Sequence, residues 1–140
     1  MRAFSDLVDD FSFLDDWEDR YRYVIELGRE LAELEEGQRV DTNKVHGCAS
    51  QVWLITDVDT SAGEPVLNFK GDSDALIVKG LIAILISIYS GKPAGEILAT
   101  DAFKMLGEIE LQQNLPQQRS NGLKAMVQRI HAEAAEAQAA

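Results

Sequence analysis

The sequence has 140 residues, 46% of them hydrophobic and 26% charged, with a single cysteine. That is enough chain for one domain, residues 1–140, whose core needs no disulfide or metal staple, and it excludes bulk disorder and a cross-linked miniature scaffold. A formal net charge of −11 repels nucleic acid and anionic membranes, so neither is an expected partner.

The charge is uneven. Residues 1–36 hold 12 acids and 4 bases, a net of −8, and residues 37–140 carry the remaining −3. A basic protein partner would be drawn to such a surface. A solvated acidic helix face that aids solubility is the plainer reading. Cys48 has no second thiol to pair with, and the chain opens without a charged-then-apolar leader; both fit a reducing cytoplasm. The longest apolar stretch, residues 80–89, falls short of the ~20 residues that a spanning helix needs.

Taken in chain order, residues 5–13 form a short amphipathic helix with Ser5 as its cap. Asp15 or Asp16 caps a longer helix from residue 17 to about 34, with Gly37 just past its end. Gly28, inside that helix, signals close packing. The period then changes. Residues 43–46, 51–57 and 65–71 read as three strands joined by turns at 47–50 and 60–64, an antiparallel meander. Asp72, Ser73 or Asp74 caps a helix over 75–90, apolar almost all round and therefore central. Gly91-Lys92-Pro93 stops it. Brief helices follow at 94–98, at 100–106 and near Glu110, then a last helix from Arg119 or Ser120 to about 132, with an Ala-rich tail over 134–140 expected to fray. The class is α+β: a small antiparallel sheet of about three strands packed against helices.

Chemistry concentrates at Cys48. It sits between Gly47 and Ala49 in a turn, where small neighbours admit another molecule's sulfur. A lone cytosolic cysteine is often an inert small core residue, so reactivity needs access and help in ionising. His46, two residues earlier, could share its side of the chain and make a Cys–His thiol enzyme, or stand as an exposed strand-end histidine; no third member is placed by sequence. His46 and His131 lie far apart and no CxxC, HExxH or phosphate-cradling glycine pattern occurs, so no metal or cofactor is expected.

The stretch Val45-His46-Gly47-Cys48-Ala49-Ser50-Gln51-Val52-Trp53-Leu54 resembles the signature of the SufE/CsdE family of sulfur-acceptor proteins, more SufE than CsdE. Three further blocks resemble the family: residues 17–28, residues 71–81, and Arg119-Ser120-Asn121-Gly122-Leu123. The resemblance implies a SufE/IscU-like fold and a monomer. It implies that Cys48 accepts persulfide sulfur from a SufS- or CsdA-like cysteine desulfurase, stimulates that enzyme, and passes the sulfur to a SufBCD-like scaffold complex that builds iron–sulfur clusters. Pyridoxal phosphate belongs to the desulfurase, and this chain carries no cofactor. Asp74 and Arg119 fall in matched blocks and are implied to shape the loop or the partner contact, whereas the family pattern does not require a histidine at position 46. A CsdE-like carrier feeding other sulfur-transfer pathways is the alternative within the family. The outer sulfur of a persulfide is open to theft by small thiols, so a carrier should keep Cys48 at least half buried, under cover from the central or the last helix. Without a second cysteine, no internal thiol can resolve the persulfide into a disulfide.

Overall fold

The computed structural model describes residues 3–140. Helix α1 (Phe4–Ser12) turns Phe4, Leu7 and Phe11 into the core. It begins one residue before the expected Ser5 cap, after an extended Ala3 whose side chain bonds nothing. Asp16 does cap α2 (Trp17–Arg29): the Asp19 N–H donates to its carboxylate at 2.8 Å. Helix α2 ends short of residue 34. Leu34 is still buried, so an apolar residue at helical spacing serves the core from non-helical chain. Gly37, at φ +86°, belongs to a later turn closed by Gln38 N–H on Glu35 O.

The sheet has three antiparallel strands in the order β1 (Val52–Asp59), β2 (Val66–Ser73) and β3 (Lys92–Pro93), with Val52 opposite Ser73 and Val66 opposite Pro93. The number of strands is as expected, but one member is not. Residues 43–46 make no strand: Asp41–Asn43 is a single 3-10 turn and only Lys44 bridges to Trp53. A side chain, Arg129, takes one of the segment's carbonyls and one just before it, donating to Lys44 O at 3.2 Å and Thr42 O at 3.0 Å. The third strand comes from the helix stop. Gly91, at φ +79°, turns the chain back along β2, where Pro93, lacking an N–H, is tolerated at an edge.

Between β2 and β3 runs α3 (Leu76–Tyr89). Ten of its fourteen residues are buried, among them Leu81, Ile82, Ile84, Leu85 and Ile88. At ~1.5–3 kcal/mol for each large side chain taken out of water, this helix is the main apolar investment of the fold. It packs on α2, β2, α1 and the last helix, α6 (Gln117–Ala139). Its N-cap is Ala75, with no side-chain bond of its own; Ser73 Oγ accepts from the Ala75 N–H at 3.2 Å just ahead of the helix, and Asp72 and Asp74 are used elsewhere. Two short helices link α3 to α6: α4 (Ala94–Ala99), and α5 (Ala102–Gly107), which starts late because Asp101 caps it. The piece expected near Glu110 is instead a left-handed turn at Glu110 followed by a 3-10 turn, Gln112–Asn114. Helix α6 continues through Ala139 with Ala134 fully buried, where fraying was expected. The Tyr89 hydroxyl donates to Thr100 O at 3.0 Å and meets His131 Nε2 at 3.1 Å, tying α3 to α6. Burial, with help from the Asp101 charge, pushes that phenol up to about 12, so it stays a donor. Among the described residues, no helix is long and apolar enough to cross a membrane.

The close packing signalled by Gly28 is real and two-sided. A methyl group on Gly28 would lie 2.7 Å from the Gly80 nitrogen, and one on Gly80 would overlap the Val24 carbonyl oxygen. We expect Gly80→Ala to destabilise the protein by about 2 kcal/mol, because overpacking outweighs the better helix propensity. Urea unfolding should show the midpoint falling with an unchanged slope.

Candidate functional site

The segment carrying Cys48 leaves the fold at one fixed point and returns at another. On the way out, Val45 N–H donates to Val52 O at 2.8 Å. On the way back, Gln51 N–H donates to the Asp74 carboxylate at 3.0 Å, and Asp74 N–H donates to Gln51 O at 3.3 Å. Asp74 therefore fastens the returning end of the loop to the start of α3. Between these points the chain reverses at Gly47, whose φ of +93° suits a residue without a β-carbon.

Neighbouring charges hold the same corner. Arg39 donates to Asp72 Oδ2 through Nε at 2.9 Å and Nη2 at 2.6 Å, and Lys79 Nζ stands 3.4 Å from Oδ1. Burial pushes the Asp72 carboxyl up, but the Arg39 bonds, the Ser73 N–H and the Lys79 charge outweigh it and hold the group below its ordinary value. Because the folded state favours the carboxylate, this stabilisation is present above the ordinary carboxylate pKa of about 4 and is lost as pH falls through the lowered value. Asp72→Asn should therefore cost stability at pH 7 and much less at pH 3, read as urea midpoints at the two pH values.

From this frame Cys48 points at α6. Its thiol donates to Gly122 O at 3.5 Å, and it is partly buried, as a sheltered carrier requires. Beside it lies a cavity of about 190 Å³. Val78 and Leu81 of α3, Met126 of α6 and Pro116 form the apolar wall, while Ser50, Gln118 and Arg119 supply the polar rim. Cover comes from both the central and the last helix. Desolvation in this setting pushes the thiol up from its ordinary value. The folded site therefore favours the neutral thiol, and exposure or a nearby cation favours the thiolate.

The residues singled out in the sequence divide clearly. Cys48 and Arg119 line one cavity, and Asp74 secures the loop without lining it. His46 is exposed and lines no part of the cavity, so the geometry gives no support to a Cys–His pair. His131 is engaged with Tyr89. Among the described residues, no three His, Cys, Asp or Glu side chains gather where they could hold a metal ion. Gly122 was missed as a site residue. A glycine inside a predicted helix was the available signal, the same one that marked Gly28.

The SufE model, described as an Fe–S metabolism associated domain, matches residues 5–134. The chain belongs to the SufE family. Two SufE-like proteins, both called uncharacterized, agree. One, from Rhizobium etli, is 58% identical over 134 residues, 96% of this chain and 90% of its own. The other, from Rhizobium meliloti, is 54% identical over 134 residues, 96% of either chain. The solution structure of a hypothetical protein from Thermus thermophilus superposes with a TM-score of 0.76, covering 98% of this chain and 96% of its own. At 20% identity it speaks for the α+β fold alone. Membership in the SufE family implies a sulfur-acceptor role alongside a cysteine desulfurase, and Cys48 is the one thiol this chain has for it.

Alkylation of Cys48 should follow a pH curve whose midpoint lies above that of the same chain unfolded in urea, because the folded site favours the neutral thiol. Rates of iodoacetamide labelling across pH 7–11 would check this, with a coincident pair of curves counting against a desolvated thiol.

Proposed function

We propose that this protein takes a sulfane sulfur from a cysteine desulfurase onto Cys48, stimulates the enzyme by clearing its persulfide, and hands the sulfur to iron–sulfur cluster assembly. In the transfer step the Cys48 thiolate attacks the outer sulfur of the donor persulfide. A new S–S bond forms, the donor's S–S bond breaks, and the donor cysteine leaves as a thiolate. The donor is a desulfurase of the SufS or CsdA type, whose pyridoxal phosphate does the carbon–sulfur chemistry; the carrier needs no cofactor of its own. The onward acceptor is a SufBCD-like scaffold, and the setting is the cytoplasm, with the carrier a monomer.

The observation that carries this reading is the placement of the chain's one thiol. It lies on a turn fastened at both ends, with its sulfur against α6 and a partly apolar cavity beside it. That arrangement suits a sulfur that must be sheltered between two protein partners. Arg119, on the cavity rim, supplies a positive charge suited to an anionic persulfide or to the partner's surface. Asp74 supports the loop that carries the thiol.

Incubation with a cysteine desulfurase and L-cysteine, followed by intact-mass measurement without reductant, tests the proposal. Wild type should gain the mass of one sulfur atom, and Cys48→Ser should gain none. Desulfurase turnover should rise with wild type and remain at its basal rate with Cys48→Ser. An unchanged mass for wild type, beside an active desulfurase, would overturn the reading.

A further inference from the structure

We infer that Gly122 is a positioning residue: its missing side chain is the seat in which Cys48 rests, and the seat sets how far the sulfur is withheld from small molecules. The inference deepens the acceptor reading and rests on it for its purpose, although not for its geometry. Gly122 is buried in the first half of α6, facing the loop. A methyl group placed there would lie 3.4 Å from Cys48 Sγ, 3.6 Å from its Cβ and 3.8 Å from its Cα. The cysteine side chain therefore lies in van der Waals contact with the position a β-carbon would take. A single methyl meets the sulfur at ordinary contact distance, and a larger side chain has to share the space beside Cys48.

Nothing in the helix itself calls for glycine here. Glycine costs about 1 kcal/mol relative to alanine inside a helix, and valine is no worse a helix former than glycine. What lies over the position is Cys48. The thiol also bonds to the carbonyl of the same residue, at 3.5 Å, so one position supplies both the hollow and the acceptor. Once sulfurated, Cys48 would rest in the same hollow with its outer sulfur toward the cavity. Theft requires a small thiolate to reach that outer sulfur. Its attack breaks the Cys48 S–S bond, releases the Cys48 thiolate and carries the sulfur off as the small thiol's own persulfide. Seating the side chain slows this attack by denying access.

A graded series tests the seat. Gly122→Val should expel Cys48 and raise its iodoacetamide labelling rate at pH 8 by about tenfold, with Gly122→Ala, whose methyl the 3.4 Å contact accommodates, close to wild type. The midpoint of the labelling curve should fall toward that of the unfolded chain in the same order. On the persulfide form, loss of sulfur to glutathione should quicken in the same order, followed by intact mass. Lys124→Ala, at an exposed position of the same helix, should label like wild type. Wild-type rates and midpoint in a folded Gly122→Val protein, or equal acceleration by Lys124→Ala, would overturn the inference. If the valine variant does not fold, Gly122→Ser decides, since its γ oxygen also has to share the space beside Cys48: a rate and midpoint equal to wild type count against the seat. Wild type that labels as expected yet gains no sulfur from a desulfurase would sink the acceptor reading and leave the seat standing.

Discussion

A helix that is apolar on almost every side cannot sit on a surface, and α3 imposes that constraint on everything around it. It must be roofed by the sheet, backed by α2 and flanked by α6. The backing is close because two glycines, Gly28 and Gly80, remove side chains where the helices meet. Both ends of α3 then acquire work. At its C-terminal end Tyr89 reaches across to His131 on α6. At its N-terminal end the chain just before the helix supplies Asp74 to the loop and Asp72 to a pair of cations. The thiol site is the place where three consequences of burying this one helix meet: its own first turns, the first turns of α6, and the link from β2.

Much of this was legible in the residues. A nearly continuous apolar run between an Asp-rich start and a Gly-Lys-Pro stop marks a central helix, and a β-rich pair around a Gly-containing turn is a hairpin. The errors share one cause, which is that local pattern is silent about distant partners. Residues 43–46 have strand-like character, but Arg129, more than eighty positions later, takes the Lys44 carbonyl and that of Thr42 just before them. Lys92–Pro93 reads as a helix stop because two residues carry no period, and pairing with β2 makes them a strand. Leu34 keeps helical spacing with Leu27 without helical backbone, since burial selects for apolar character whatever the dihedral angles. Asp72 and Asp74 look like caps by position, yet long-range partners claim them first. At the site, sequence pointed to Cys48 by its turn and to Arg119 and Asp74 by resemblance. The role of Gly122 depends on two segments seventy-four positions apart coming into contact, which no local pattern records.

The thiol chemistry follows from the same geometry. An exposed cysteine forms its thiolate more easily than a covered one. Here desolvation, with Val78, Leu81 and Met126 on the apolar side of the cavity, shifts the balance further toward the neutral thiol. Reactivity is thereby made conditional on a change in surroundings. The chain's acidic balance points the same way, since a net charge of −11 adds no general field that would favour a second negative centre at the sulfur.

The fastening of the loop at Val45 and at Gln51 also fixes a length. Cys48 stands three residues from either anchor, and three extended residues span about 10 Å at most. The sulfur is on a short tether. It can lean out of its hollow, but while both anchors hold it moves no farther than that reach.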